Sequence, residues 1–238
     1  MKPSSSPQVE LRADESMDTF LDGRLKLIQP RSGYRFSIDA VLLSQFTTVK
    51  AGDILVDMGT GCGIISLLLL LTGPVQYALG LELQAPLATQ AIRNAMLNGL
   101  EHRMGVVQGD IRHHPLSPGI ADVVVCNPPY RKTDSGRINP DPQRAIARHE
   151  IMASLDDILA ATRMILKPKG RLAMIYPAFR LTDVLRKMRQ YRLEPKRIQI
   201  VYPGLKSEAK LVMVEASLGG RGGLKIMPPI IDQGDFSI

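Results

Sequence analysis

Asp57-Met58-Gly59-Thr60-Gly61-Cys62-Gly63 is the stretch whose reading decides the fold. Apolar Ile54-Leu55-Val56 precedes it, and the run Ile64 to Leu71, interrupted only by Ser66, follows it. A glycine-rich turn between a short strand and a helix is the place where an open α/β sheet binds a ligand, at the carboxyl end of the strand. The glycines let backbone approach that ligand closely. A dinucleotide fingerprint would need glycines at 59, 61 and 64, but position 64 is Ile and the strand ends in the carboxylate of Asp57. An acid there suits a cation better than a pyrophosphate.

Outward from this turn, short apolar or β-branched runs alternate with longer helical ones. The pattern predicts strands at Ile54–Asp57, Tyr77–Glu82, Met104–Gln108, Asp122–Asn127, Arg171–Tyr176, Arg197–Val201 and Lys210–Ala216, and helices at Ile64–Leu71, Pro86–Asn98, Ile151–Leu166 and Leu181–Tyr191. Such alternation implies an α/β, Rossmann-like fold, a seven-stranded and mostly parallel sheet with helices on both faces. Only Pro203 to Glu208 separate the last two strands, too few residues for a crossover helix, so one strand is antiparallel. Ahead of the sheet, Phe20-Leu21 and Leu25 to Ile28 flank Asp22-Gly23, which reads as a small hairpin. The expected organisation is a mobile polar leader over 1–19, a hairpin and helix extension over 20–50 and a core over 51–238, together a single domain. Arg131 to Arg148 has no clear periodicity, and a loop of that length in a compact domain is usually functional or mobile.

With 238 residues, 45% hydrophobic and 22% charged, the chain has ordinary globular usage, which argues against disordered, collagen-like or coiled-coil classes. Cys62 and Cys126 form no CxxC, and the four histidines include no HExxH, so neither a disulfide scaffold nor a metal site is expected. No apolar run approaches the ~20 residues that span a bilayer, and Met1 to Pro7 contain no signal-peptide core. The expected setting is reduced and cytoplasmic, with no membrane partner.

S-adenosylmethionine carries a sulfonium and an α-ammonium and has no phosphate, so it matches the turn formed by Asp57, Gly59, Thr60, Gly61 and Gly63 in charge and shape. Glu82, with Leu83 beside it, ends the next strand and is placed for the two ribose hydroxyls. Gly109-Asp110 ends the third, with Asp110 suited to the adenine amino group and Ile111 to the ring face. Alternatively these acids merely cap loops, a reading that fits Asp110 better than the turn and Glu82 together. Cys62 and Cys126 are most simply small packing residues.

The fourth strand ends in Asn127-Pro128-Pro129-Tyr130, which resembles the Asn-Pro-Pro-Tyr motif of class I S-adenosylmethionine-dependent methyltransferases acting on planar nitrogens. Such a nitrogen has its lone pair delocalised and is a poor nucleophile. The resemblance implies that the Asn127 side-chain oxygen and the Pro128 carbonyl accept its two N–H bonds as it becomes tetrahedral and cationic, a preorganised electrostatic catalysis. Pro128 and Pro129 stiffen the backbone, and Tyr130 offers a face to an unstacked base. A second match narrows the family. Gly33-Tyr34-Arg35-Phe36-Ser37-Ile38-Asp39-Ala40-Val41-Leu42-Leu43 resembles the N-terminal signature of bacterial methyltransferases that make N6-methyladenosine in the anticodon loop of a valine tRNA, and Ala145 to Glu150 resembles their post-motif segment. This implies cofactor contacts for Phe36, Ser37 and Asp39, with Arg35 as either a surface or a phosphate contact.

The net charge of +7 is unevenly spread: residues 1–130 hold 10 basic and 12 acidic side chains, whereas residues 163–225 hold 15 and 4. Excess positive charge after the motif suits an RNA partner without naming it, although solvated surface lysines would look the same, and the family resemblance implies that the RNA is tRNA. Arg131, Lys132, Arg137, Arg144 and Arg148 are candidates for phosphate contacts, with Arg180, Arg186, Lys187, Arg189 and Arg192 extending the track. The same tetrapeptide serves release-factor glutamine methyltransferases, which carry a sizeable helical domain in front, and a near relative serves ribosomal RNA guanine N2 enzymes, which usually have Phe in its last position. A short front and Tyr130 therefore favour RNA adenine N6 methylation. A non-catalytic cofactor- or RNA-binding protein on the same fold is the remaining alternative. Because stacking rather than the hydroxyl is invoked at Tyr130, Tyr130→Ala should lower kcat/KM at least tenfold more than Tyr130→Phe, in line with ~1–3 kcal/mol per stacked base. Equal losses in a steady-state assay would contradict that role.

Overall fold

A computed structural model describes residues 9–32, 35–128 and 153–231. The chain opens with the hairpin β1 (Glu15–Phe20) and β2 (Leu25–Pro30), paired antiparallel from Glu15↔Pro30 to Phe20↔Leu25. Its turn is closed by the Arg24 N–H donating to the Leu21 carbonyl at 3.1 Å, with Asp22 and Gly23 as central residues at φ 53° and 85°. Asp-Gly is favoured there because both central residues must adopt positive φ. The first strand thus begins at Glu15, inside the range assigned to a leader, because pairing with Pro30 and an ion pair between Glu15 and Arg93 order it.

After α1 (Ile38–Phe46) comes the sheet core: β3 (Ile54–Met58), α2 (Ile64–Thr72), β4 (Tyr77–Glu82), α3 (Ala85–Leu97), β5 (Met104–Gln108) and β6 (Ala121–Cys126). The C-terminal part adds α4 (Leu155–Ile165), β7 (Leu166–Pro177), α5 (Leu181–Gln190), β8 (Leu193–Tyr202), β9 (Leu211–Leu218), β10 (Lys225–Ile226) and β11 (Ile230–Ile231). The strand order is β10-β8-β9-β7-β6-β3-β4-β5, with β11 also beside β8. The seven expected strands are present, and β9 runs antiparallel to both β7 and β8. Among the described residues the sheet has nine strands rather than seven because the two-residue β10 and β11 add to the open edge of β8. Such short pieces leave no periodicity to read.

Consecutive residues of the central strands face opposite layers. Leu55, Val123, Val125 and Ala173 pack with α1, α2 and α3, while Val56, Val124, Leu172 and Met174 pack with α4 and α5. Burial on both faces is why these strands read as continuous apolar runs. Helix α4 starts at Leu155, where Ser154 and Asp157 form a reciprocal capping box, Asp157 N–H to Ser154 Oγ at 3.2 Å and Ser154 N–H to Asp157 Oδ2 at 2.8 Å, and the expected start at Ile151 lies outside the described residues.

The hairpin is held by polar side chains of α3 rather than by sheet pairing. Asn94, fully buried, accepts from the Ile28 N–H at 2.7 Å and donates to the carbonyls of Ile28 at 3.2 Å and Cys62 at 2.9 Å. One turn further on, Asn98 accepts from the Lys26 N–H at 2.9 Å and donates to the Lys26 carbonyl at 2.7 Å. Asn94 therefore ties the hairpin to the glycine turn. Asn94→Ala removes the partner of the Ile28 N–H and the Cys62 carbonyl, while the Ile28 carbonyl keeps Gln90 Nε2 at 2.8 Å, and should lower unfolding free energy by about 3 kcal/mol. Urea denaturation reads this directly, and a loss below about 1 kcal/mol would contradict it.

Candidate active site at the carboxyl ends of the strands

The parallel register brings four strand ends level. Asp57 pairs with Gly80 and Met58 with Leu81 across β3 and β4, Glu82 with Gln108 across β4 and β5, and Met58 with Cys126 across β3 and β6. Asp57, Glu82, Gly109-Asp110 and Asn127 consequently end at one edge, around the point where the chain connections leave β3 in opposite directions. Of the four motif residues, Asn127 is partly buried and Pro128 buried. Pro129, Tyr130, Arg131, Lys132, Arg137, Arg144 and Arg148 lie outside the described residues.

The Asp57 side chain is fully buried. Its Oδ2 accepts from the Thr60 hydroxyl at 2.7 Å and the Ser66 hydroxyl at 3.0 Å, while Oδ1 has no hydrogen-bond partner among the described residues. Burial pushes its pKa up to about 6, partly opposed by the two hydroxyls. Thr60 can reach because β4 carries Gly80 opposite it: a Cβ at 80 would stand 2.6 Å from Thr60 Cγ2. Ser66 was visible only as the one polar residue in the apolar run, and its role follows from helix α2 turning it back beneath the strand end. Gly59 at φ 72° and Gly63 at φ 88° hold the turn open, and a Cβ on Gly59 would meet nothing within 4 Å. A Cβ on Gly63 would meet Met104 Cε at 2.8 Å. Gly59 thus faces open space and Gly63 seats the helix.

Glu82 is 5% exposed and braces the turn: Oε2 accepts from the Gly61 N–H and Oε1 from the Gln84 N–H, each at 2.9 Å. Each oxygen retains a further lone pair. Leu83 beside it is half-buried. Asp110 caps the short 3-10 turn Ile111–His113, accepting from the Arg112 N–H at 2.8 Å, and its carboxylate also holds the Arg112 guanidinium. That pairing is the main reason its pKa is lowered. Ile111 packs partly against the layer of α4 and α5.

On the N-terminal side, Phe36 meets Phe20 edge-on at 5.3 Å, and its N–H donates to Gln29 Oε1 at 3.1 Å. Ser37 caps α1 through its extended backbone and Asp39 sits in the first turn of that helix. Arg35 donates to Ser16 Oγ and the Pro30 carbonyl, each at 3.0 Å, and pairs with Asp18. It therefore fastens the hairpin to the start of α1. Gly33 and Tyr34 lie outside the described residues.

The family profile of the methyltransferase small domain matches residues 38–191. The chain belongs to this family. It is 33% identical over 207 residues to the tRNA1(Val) (adenine(37)-N6)-methyltransferase of Porphyromonas gingivalis, covering 83% of this chain and 80% of the relative. With the enzyme of the same name from Aeromonas hydrophila it shares 29% identity over 190 residues, 79% of each chain. Among solved structures, a predicted O-methyltransferase from Agrobacterium tumefaciens matches with a TM-score of 0.67 at 19% identity, covering 82% of this chain and 88% of that one. Geranyl diphosphate C-methyltransferase from Streptomyces coelicolor, with S-adenosyl-L-homocysteine bound, matches at 0.55 and 16% over 75% and 74%. These two establish the methyltransferase fold alone.

Within this methyltransferase-family fold both thiols are buried, and burial pushes Cys62 up to about 12 and Cys126 upward as well, so neither is a nucleophile at neutral pH. Four of the five cations assigned to an extended RNA track also pair with acids: Arg180 and Arg186 with Asp183, Lys187 with Asp156, and Arg189 with Glu194. Among the described residues no His, Cys, Asp and Glu cluster could hold a metal, and no helix is long and apolar enough to cross a membrane.

The raised pKa of Asp57 has a measurable sign. The native state holds this proton more tightly than the unfolded chain, so the stability that protonation contributes is complete below about pH 4 and lost as pH rises through about 6. Relative to Asp57→Asn, the wild-type chain without cofactor should lose about 2.4 kcal/mol of unfolding free energy between pH 4 and pH 7. A pH-independent difference in denaturation experiments would contradict the buried, raised carboxyl.

Proposed function

We propose that this chain transfers a methyl group from S-adenosylmethionine to the exocyclic N6 of an adenine in tRNA. Asn127 and Pro128 carry the reading, by ending β6 level with the turn of β3. The activity named for the relatives, tRNA1(Val) adenine(37) N6 methylation, agrees with it.

The residues fit the cofactor. Asp57 offers a buried carboxylate oxygen with no donor, and Gly59 borders open space. Glu82 has acceptor capacity left after bracing Gly61 and Gln84, and the family resemblance assigns Phe36, Ser37 and Asp39, at the start of α1, to the methionine end of the cofactor. Asp110 can take the adenine amino group only while sharing its carboxylate with Arg112. When bound, the cofactor supplies an electrophilic methyl on a cationic sulfur. The Asn127 amide oxygen and the Pro128 carbonyl accept the amino hydrogens of the target, which holds the nitrogen lone pair toward the methyl and stabilises the positive charge that develops. Once methylated, the nitrogen is acidic enough to lose its proton to water, so no histidine base is required.

The chain is incubated with radiolabelled cofactor and, separately, tRNA, ribosomal RNA and release factors, and labelled RNA is digested to nucleosides. Label in tRNA as N6-methyladenosine is expected, and label confined to release factor or to guanine would overturn the assignment. Asn127→Ala should keep cofactor Kd within about threefold while kcat falls by 10² or more, the scale of losing a preorganised acceptor. Undiminished kcat would remove Asn127 from the mechanism.

A further inference from the structure

The two most exposed large apolar side chains among the described residues are Leu205, 82% exposed, and Phe179, 73% exposed. They stand on neighbouring loops. Phe179 lies in the 3-10 turn Ala178–Arg180 that follows β7, and Leu205 in the connection from β8 to β9. Because β8 and β7 both run antiparallel to β9, they run parallel to each other, and both loops lie at the edge where β6 delivers Asn127. The loops are joined directly by the Ala178 N–H donating to the Lys210 carbonyl at 3.1 Å.

Cations surround these apolar groups. The Arg180 guanidinium lies 6.0 Å from the centre of the Tyr176 ring, and Lys206 and Lys210 are exposed with no ion-pair partner among the described residues. Acids nearby are Asp183, already paired with Arg180, and Glu208. Exposed aromatic and apolar groups interleaved with unpaired cations fit unstacked bases and phosphates, whereas a protein groove would more often be apolar at its centre.

We propose that the rim formed by Phe179, Arg180, Leu205, Lys206 and Lys210 holds the single-stranded RNA flanking the target adenine, with a neighbouring base stacked on Phe179. This rests on the tRNA reading above. Flipping a base out of a loop leaves its neighbours unstacked, and a fixed aromatic face beside the catalytic strand offsets that loss. Phe179 on this account positions the substrate without touching the reacting atoms, and the lysines contribute salt-dependent affinity.

The test uses the full chain, a valine tRNA transcript and labelled cofactor. Phe179→Ala should raise KM for tRNA about tenfold or more with kcat and cofactor Kd within about twofold, and Phe179→Trp should restore KM. The paired variant Lys206→Ala/Lys210→Ala should lower the slope of log Kd against log salt by about 1.4. An unchanged KM in Phe179→Ala, or a fall confined to kcat, would overturn the proposal. Absence of label in tRNA with the unaltered chain would overturn the tRNA reading itself, a result distinct from a variant matching wild type.

Discussion

The site depends on a carboxylate placed where water cannot reach it. Asp57 ends the central strand fully buried, with hydroxyls of Thr60 and Ser66 on one oxygen and nothing on the other. Holding a charge there costs stability, which is why its pKa is raised to about 6. Much of the neighbourhood serves to keep it in place. Gly80 leaves room for Thr60, Glu82 fixes the Gly61 N–H, and Asn94 clamps the Cys62 carbonyl against the hairpin. A half-satisfied buried acid, in a turn whose Gly59 borders open space, is suited to a cationic ligand, and S-adenosylmethionine supplies that charge without a phosphate.

The central strands were legible because parallel strands buried on both faces carry unbroken apolar runs, as Ile54-Leu55-Val56 and Val123-Val124-Val125 do. The hairpin turn was legible because Asp22-Gly23 can adopt positive φ at both positions. What escaped depends on contacts distant in sequence. Pairing of Glu15 with Pro30 and Arg93 ordered residues assigned to a leader, and β10 and β11 are too short to signal themselves.

Within the site, residue identities were more legible than their duties. Glu82 was assigned to ribose alone, but it also braces the turn, a role that appears only once β4 is set beside β3. Asp110 is shared with Arg112 two residues away, and Arg35, open to a phosphate role on sequence, fastens the hairpin. Lys187 of α5 pairs with Asp156 of α4, and Arg189 with Glu194 of β8, contacts that charge counting does not show. Lys206 and Lys210, with no ion-pair partner among the described residues, are exposed on the loop that bonds to the turn of Phe179, where exposure rather than composition marks a surface.

The claim that the buried acid is held for a cation is tested most directly by carbon NMR of the Asp57 carboxyl through a pH titration, with and without S-adenosylmethionine. The account predicts an apparent pKa of about 6 in the free protein and a fall of at least one unit in the complex. A pKa unmoved by the cofactor would contradict it.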